Sequence, residues 1–90
     1  MTDAMKVVIL KNKYGLHARP AMQFVEIASK FSASLIVQKD GKDVDGKSIM
    51  GMMTLAAEKG SELQLVAKGS DADDMLTRLI ELIENKFGED

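Results

Sequence analysis

The apolar residues of this chain change their spacing several times within 90 residues, and this alternation constrains the fold more than any other feature. Residues 5–11 contain the run Val7-Val8-Ile9-Leu10, which is too short for an independent helix and predicts a first strand. From Ala18 the apolar positions recur at helical spacing and predict a first helix with a buried stripe. That stripe comprises Ala21, Phe24, Val25, Ala28 and Phe31.

The middle of the chain predicts a hairpin followed by a short helix. Residues 33–39 and 42–45 are the two strands, and Asp40-Gly41 between them is a strong hairpin turn. Ser48 is a suitable N-cap for a second helix that ends near Gly60, because glycine favours the end of a helix. The face of this helix that packs on the core is formed by Ile49, Met52, Met53 and Ala56.

The last third of the chain predicts one strand and one helix. Alternating apolar residues over 62–68 indicate a fourth strand, and Ser70 with Asp73 forms a capping box for the third helix. Its buried stripe contains Ala72, Leu76, Leu79, Ile80, Ile83 and Phe87. The order βαββαβα, with one apolar stripe per helix, favours an α+β fold: an open-faced sandwich of a four-stranded antiparallel sheet with three helices on one face.

Composition excludes several classes of protein. The chain has no cysteine, which rules out disulfides and thiolate metal sites, and no apolar run approaches the ~20 residues needed to cross a bilayer. A net charge of −2 with one tyrosine and no tryptophan argues against nucleic-acid binding. We expect a single domain over residues 1–90 in the cytoplasm, with the acids of the last helix and Glu89-Asp90 forming a solvated face.

The segment Gly15-Leu16-His17-Ala18-Arg19-Pro20-Ala21 carries the candidate functional residues. It places the only histidine beside an arginine at the predicted start of a helix. Imidazole is a nucleophile that is partly neutral at pH 7, and the free N–H groups of a first helical turn favour an anion. Arg19 can bind phosphate oxygens in bidentate fashion. The pattern therefore predicts that His17 carries a phosphoryl group, with Arg19 and the backbone of Ala18 and Arg19 binding it.

The sequence contains no fuller catalytic apparatus. A glycine-rich phosphate loop, a Ser-His-Asp set and a cluster of metal ligands are all missing, so we expect neither a cofactor nor a metal. Judged by residue type alone, a lone histidine near a helix start is more often a surface or capping residue. A phosphoryl carrier of this kind would accept and donate phosphate with machinery that its partners supply.

The seven-residue segment closely resembles the active-site signature of HPr, the histidine-containing phosphocarrier family of the bacterial phosphoenolpyruvate:sugar phosphotransferase system. A second stretch, from Asp40-Gly41-Lys42 through Lys47-Ser48-Ile49-Met50-Gly51-Met52-Met53, resembles the regulatory-serine segment of the same family. The match extends over roughly residues 5–87 without obvious gaps. Tyr14 is a departure, since several relatives carry a small Ser or Asn there, and Glu26 replaces a basic residue of some relatives.

The resemblance implies a role for each candidate residue. His17 would take phosphate on Nδ1 from phosphorylated enzyme I and pass it to a IIA protein or domain, and the chain would act as a monomeric carrier rather than an enzyme. Ser48 would be phosphorylated by HPr kinase/phosphorylase. Partners would dock on Met22, Ile49, Met50 and Met53.

Two alternatives stay open at this point. The carrier could serve the nitrogen-related regulatory branch rather than sugar uptake. A purely regulatory module, in which the Ser48-phosphorylated chain binds a transcriptional repressor, would leave His17 and Arg19 unexplained.

Overall fold

A computed structural model describes residues 3–89. It contains four strands, β1 (Asp3–Ile9), β2 (Ser34–Lys39), β3 (Lys42–Asp45) and β4 (Glu62–Lys68), and three α-helices, α1 (Ala18–Ala28), α2 (Ile49–Thr54) and α3 (Ala72–Glu84). A single 3₁₀ turn, Lys86–Gly88, follows α3. The predicted order βαββαβα is confirmed. The predictions for Met1, Thr2 and Asp90 lie outside the described residues.

The strands form one antiparallel sheet in the order β1-β4-β2-β3. Alternation along β4 sets which face is buried, because its side chains point to opposite faces in turn. Leu63, Leu65 and Ala67 of β4 face the helices and are fully buried, whereas Met5 and Ile36 on the neighbouring strands are exposed on the other face. The result is the predicted open-faced arrangement of a sheet with three helices.

The core between sheet and helices comes largely from the predicted stripes. Ala21, Phe24 and Ala28 of α1 are fully buried, as are Leu76, Leu79 and Ile83 of α3. Burial of apolar surface contributes about 25 cal/mol per Å², so these stripes fix each helix against the sheet. The sequence stripe omitted Met75, which is also fully buried.

Three predicted boundaries were wrong. β1 is Asp3–Ile9 rather than residues 5–11, because its pairing with β4 runs from Asp3 opposite Lys68 to Ile9 opposite Glu62. α2 ends at Thr54 rather than near Gly60, since Ala56 has a positive φ of 50° that breaks the helix. The second strand begins at Ser34, one residue later than predicted.

Two predicted features of α3 were also wrong. The Ser70–Asp73 capping box does not form, because the N-cap position is Asp71 and it makes no side-chain cap. The Asp71 carboxylate instead accepts the backbone N–H groups of Ser32 and Ala33, each at 2.8 Å. Phe87 is buried as predicted, but it lies beyond the helix in the 3₁₀ turn, with a φ of 56°.

Candidate functional site

His17 occupies the N-cap position of α1, with extended backbone angles (φ −89°, ψ −170°). Its carbonyl accepts the N–H of Ala21 at 3.0 Å, which is the first bond of the helix. The preceding residue, Leu16, is buried and donates its N–H to the carbonyl of Ala57 at 2.9 Å. The helix start and the loop before it therefore hold His17 from both sides.

Within residues 3–89, two backbone N–H groups in the first turn of α1 have no hydrogen-bond partner. Ala18 and Arg19 precede the first residue that donates within the helix, and Pro20 has no N–H to contribute. Unpaired N–H groups at a helix N-terminus, together with the positive end of the helix dipole, favour an anion by about 0.3–1 kcal/mol. This is the environment that the sequence predicted beside His17.

His17 and Arg19 line one shallow cavity of about 590 Å³, together with Lys13, Tyr14, Ala18 and Glu89. Two of these residues, Arg19 and Lys13, are cationic. Tyr14 is 70% exposed, and its ring meets the imidazole edge-on with centroids 6.3 Å apart. Tyr14 therefore places an aromatic ring beside His17 at the edge of this cavity.

Glu89 contacts His17, so the prediction that this acid belongs to a solvated face was wrong. Its Oε1 lies 3.1 Å from Nε2 of His17 and accepts a 2.8 Å hydrogen bond from Nδ2 of Asn12. The hydrogen bond from Asn12, followed by that from His17, lowers the pKa of the Glu89 carboxyl. Among the hydrogen bonds of residues 3–89, the imidazole makes this contact through Nε2 and leaves Nδ1 without a partner.

Asn12 is the second site residue that the sequence did not identify. It is the only buried polar residue within the described range, and its Nδ2 also donates to the carbonyl of Gly15 at 2.7 Å. A lone asparagine between a strand and a glycine turn was the available signal. Glu89 offered no comparable signal, because its contact joins residues 72 positions apart.

Ser48 caps α2, as predicted. Its Oγ accepts the N–H of Gly51 at 3.0 Å, and its carbonyl accepts the N–H of Met52 at 2.9 Å. Ser48 is half-buried, and the neighbouring Ile49 lies in a second cavity. That cavity connects the serine segment to the surface of α1.

The second cavity, also of about 590 Å³, is mainly apolar and adjoins the first, because Ala18 and Arg19 line both. Its walls include Met22, Ile49 and Glu26, so two predicted docking residues lie together here. Met50 and Met53 are exposed on α2, at 77% and 44%, but do not line this cavity. Ile49, Met52, Met53 and Ala56 were predicted to pack on the core, but of these four residues only Met52 is buried.

Within residues 3–89, no helix has the length and the apolar character required to span a bilayer.

Comparison with known proteins agrees with this arrangement. Residues 4–85 match the family model described as PTS HPr component phosphorylation site. The phosphocarrier protein HPr of Pseudomonas aeruginosa is 45% identical over 87 residues, covering 96% of each chain. The HPr-like protein Crh of Halalkalibacterium halodurans is 44% identical over 81 residues, covering 90% of this chain and 96% of the relative.

Among solved structures, HPr-C-His from Thermoanaerobacter tengcongensis superimposes with a TM-score of 0.91 at 48% identity, covering 100% of this chain and 99% of the other. The open-faced sandwich is thus shared with a solved HPr structure. The chain belongs to the HPr family of the phosphotransferase system.

Proposed function

We propose that His17 of this phosphocarrier accepts a phosphoryl group on Nδ1 from phosphorylated enzyme I and donates it to a IIA protein or domain. One observation carries the proposal: Nε2 is engaged by Glu89, whereas Nδ1 makes no hydrogen bond within residues 3–89. The free nitrogen belongs to a ring that lines the same cavity as Arg19 and the open first-turn amides. An anion formed on Nδ1 would therefore meet a guanidinium and two N–H donors.

The chain is then a stoichiometric carrier rather than an enzyme. The lone pair of Nδ1 attacks phosphorus, the bond from phosphorus to the donor breaks, and its electron pair returns to the donor. Transfer to the IIA partner repeats this exchange with a new acceptor. Arg19 compensates the phosphoryl charge in the loaded state without taking part in bond making.

The apolar cavity beside His17 supports a docking surface for these partners. Met22 and Ile49 line it, and Met50 and Met53 extend the exposed apolar surface along α2. Methionine side chains adapt to differently shaped partners, which suits a carrier that meets both a donor and an acceptor. We propose that the carrier works as a monomer in the cytoplasm, and sedimentation of the purified chain tests the oligomeric state.

Incubation with enzyme I and phosphoenolpyruvate tests the carrier function. We expect the intact mass to rise by one phosphoryl group, the adduct to be lost in acid, and His17→Ala to remain unlabelled. Wild-type protein that takes up no label would overturn the proposal. Transfer from the labelled protein to a IIA protein of either the sugar branch or the nitrogen-related branch shows which route it serves.

We also propose that Ser48 is a regulatory phosphorylation site for HPr kinase/phosphorylase, and that the modified chain can bind a transcriptional repressor. The observation that favours it is the position of Ser48 beside Ile49, at the edge of the proposed docking surface. Phosphate there would add about −1.5 to −2 charges to a surface that partners must cover. We expect an acid-stable adduct with kinase and ATP, absent in Ser48→Ala; no adduct on the wild type excludes this role.

A further inference from the structure

A continuous set of hydrogen bonds runs behind the imidazole, away from Nδ1. Asn12 Nδ2 donates to the carbonyl of Gly15 and to Oε1 of Glu89. The same Oε1 atom makes the hydrogen bond with Nε2 of His17. Nδ2 has two N–H groups, and both are used. If the side-chain amide of Asn12 were rotated by 180°, its oxygen would face two other oxygens, those of the Gly15 carbonyl and the Glu89 carboxylate. Gly15 and Glu89 therefore fix the orientation of the Asn12 amide.

Glu89 is itself held in place by the turn that follows α3. Phe87 is buried with a φ of 56°, and Gly88 has a φ of 75°, so the chain reverses sharply at this point. The N–H of Gly88 donates to Asn85 at 3.0 Å, and that of Glu89 donates to Lys86 at 2.9 Å. A buried aromatic residue and two turn hydrogen bonds therefore anchor the backbone of Glu89.

We propose that Glu89, oriented by Asn12, is a positioning residue that keeps the proton of the neutral His17 ring on Nε2 and the lone pair on Nδ1. A carboxylate is only an acceptor, so the 3.1 Å contact requires a proton on Nε2. The other nitrogen is then the nucleophile. This inference rests on the proposed carrier function and adds two residues that act through His17.

The same carboxylate compensates charge once phosphate is bound. When Nδ1 bonds to phosphorus, Nε2 keeps its proton, and the ring gains positive charge that faces Glu89. Among residues 3–89, Glu89 is the only acid that lines this cavity, whose other charged or titratable groups in that range are Lys13, Tyr14, Arg19 and His17. The hydrogen bonds from Asn12 and His17 lower the pKa of the Glu89 carboxyl, which favours its ionised form.

Which nitrogen of the His17 imidazole carries the proton can be measured on the isolated protein, without a partner protein. In ¹⁵N-labelled protein at a pH where His17 is neutral, long-range ¹H–¹⁵N spectra distinguish a proton on Nε2 from one on Nδ1. We expect Nε2–H in the wild type and in Glu89→Gln, whose oxygen still accepts, and a several-fold rise of the Nδ1–H form in Glu89→Ala. Glu81→Ala, which removes an exposed carboxylate of α3, is the matched control.

Kinetics with phosphorylated enzyme I provide the second readout. We expect Glu89→Ala to lower kcat roughly threefold to tenfold, the effect of one lost hydrogen bond, with KM unchanged because Glu89 does not line the apolar cavity. Asn12→Ala should lower kcat at least as much, because it also removes the hydrogen bond to the Gly15 carbonyl. The double variant should lose less than the two single losses combined, since both changes break the Asn12–Glu89 contact. Asn12→Ala is compared only if its spectrum is that of a folded protein.

The two readouts separate this inference from the carrier function. Wild-type protein that accepts no phosphate overturns the carrier function, while the spectra still test Glu89. If the ring proton of His17 stays on Nε2 in Glu89→Ala, or if Glu89→Ala accepts phosphate with the same kcat as Glu81→Ala, Glu89 does not have the proposed role. Either result leaves the carrier function intact.

Discussion

The N–H of Leu16 donates to the carbonyl of Ala57 at 2.9 Å and ties the loop before His17 to the segment between α2 and β4. Both residues are buried. Gly15, next to this bond, has a φ of 65°, and a Cβ placed there would lie 2.5 Å from the same carbonyl oxygen. The position of the histidine thus depends on a close approach of two backbone segments that glycine permits.

Gly15→Ala should destabilise the protein by about 2–4 kcal/mol, because strain at positive φ adds to a backbone clash. Gly41→Ala is the matched control: its φ is 80°, but a Cβ there meets nothing within 4 Å. Gly41→Ala should lower the free energy of unfolding by only about 1–2 kcal/mol, because the strain of a side chain at positive φ is then the only cost. Urea unfolding measures both, and equal losses would show that the contact with Ala57 adds nothing.

Arg19→Ala should slow phosphoryl acceptance roughly tenfold to a hundredfold, since a hydrogen bond to a charged group contributes about 1.5–3 kcal/mol. Arg19→Lys should recover part of the rate, because lysine keeps the charge but lacks the bidentate geometry. Rapid-quench measurement with phosphorylated enzyme I gives the rates. If Arg19→Lys matches the wild type, charge alone accounts for the role of Arg19.

Ser48→Ala should destabilise the protein by about 1 kcal/mol, because the N–H of Gly51 loses its capping acceptor. Ser48→Asp should keep near wild-type stability, since aspartate is an equally good N-cap, yet weaken phosphoryl transfer by placing a negative charge on the docking surface. Denaturant unfolding and transfer kinetics measure the two effects. Loss of stability in Ser48→Asp would contradict the capping argument.

Lowering the pH should reduce the free energy of unfolding, partly because the Asp71 carboxylate becomes protonated. Hydrogen bonds from the backbone N–H groups, first that of Ser32, lower the pKa of this carboxyl below its usual value of 3.8. Its stabilising contribution is therefore complete above the unfolded pKa and is lost as pH falls through the lower folded pKa.

Asp71→Asn should make the fall in stability from pH 6 to acid shallower than in the wild type. Asp43→Asn, at an exposed position on β3, is the control and should leave the slope nearly unchanged. Free energies of unfolding measured across this pH range show whether Asp71 contributes to the pH dependence of stability. If the unfolding free energy of Asp71→Asn falls with pH as steeply as that of the wild type, protonation of Asp71 does not account for the acid sensitivity.

The elements that the sequence predicted well are those whose signal is local. The spacing of Phe24 and Ala28 predicts α1, and the alternation of Leu63 and Leu65 predicts β4, because each pattern reports which face is buried. The capping of α2 by Ser48 is also local. These are the parts of the fold that do not require knowledge of distant neighbours.

The errors arose where a distant residue decided the outcome. A Ser70–Asp73 capping box was expected at the start of α3, but the N-cap is Asp71, whose carboxylate binds Ser32 and Ala33 across the fold. Glu89 was assigned to a solvated face, but buried Asn12 draws it toward His17. The sequence predicted that His17 and Arg19 lie together at the start of α1, whereas the contacts that join His17, Glu89 and Asn12 depend on tertiary packing.

Arg19 lines both cavities, so the proposed phosphate site and the proposed docking surface share this residue. A donor and an acceptor that both contact Arg19 would compete for the same residue beside His17. In the proposed carrier, donor and acceptor must therefore bind one after the other. Double-displacement kinetics follow: an excess of unphosphorylated acceptor should inhibit loading by competing directly with the donor.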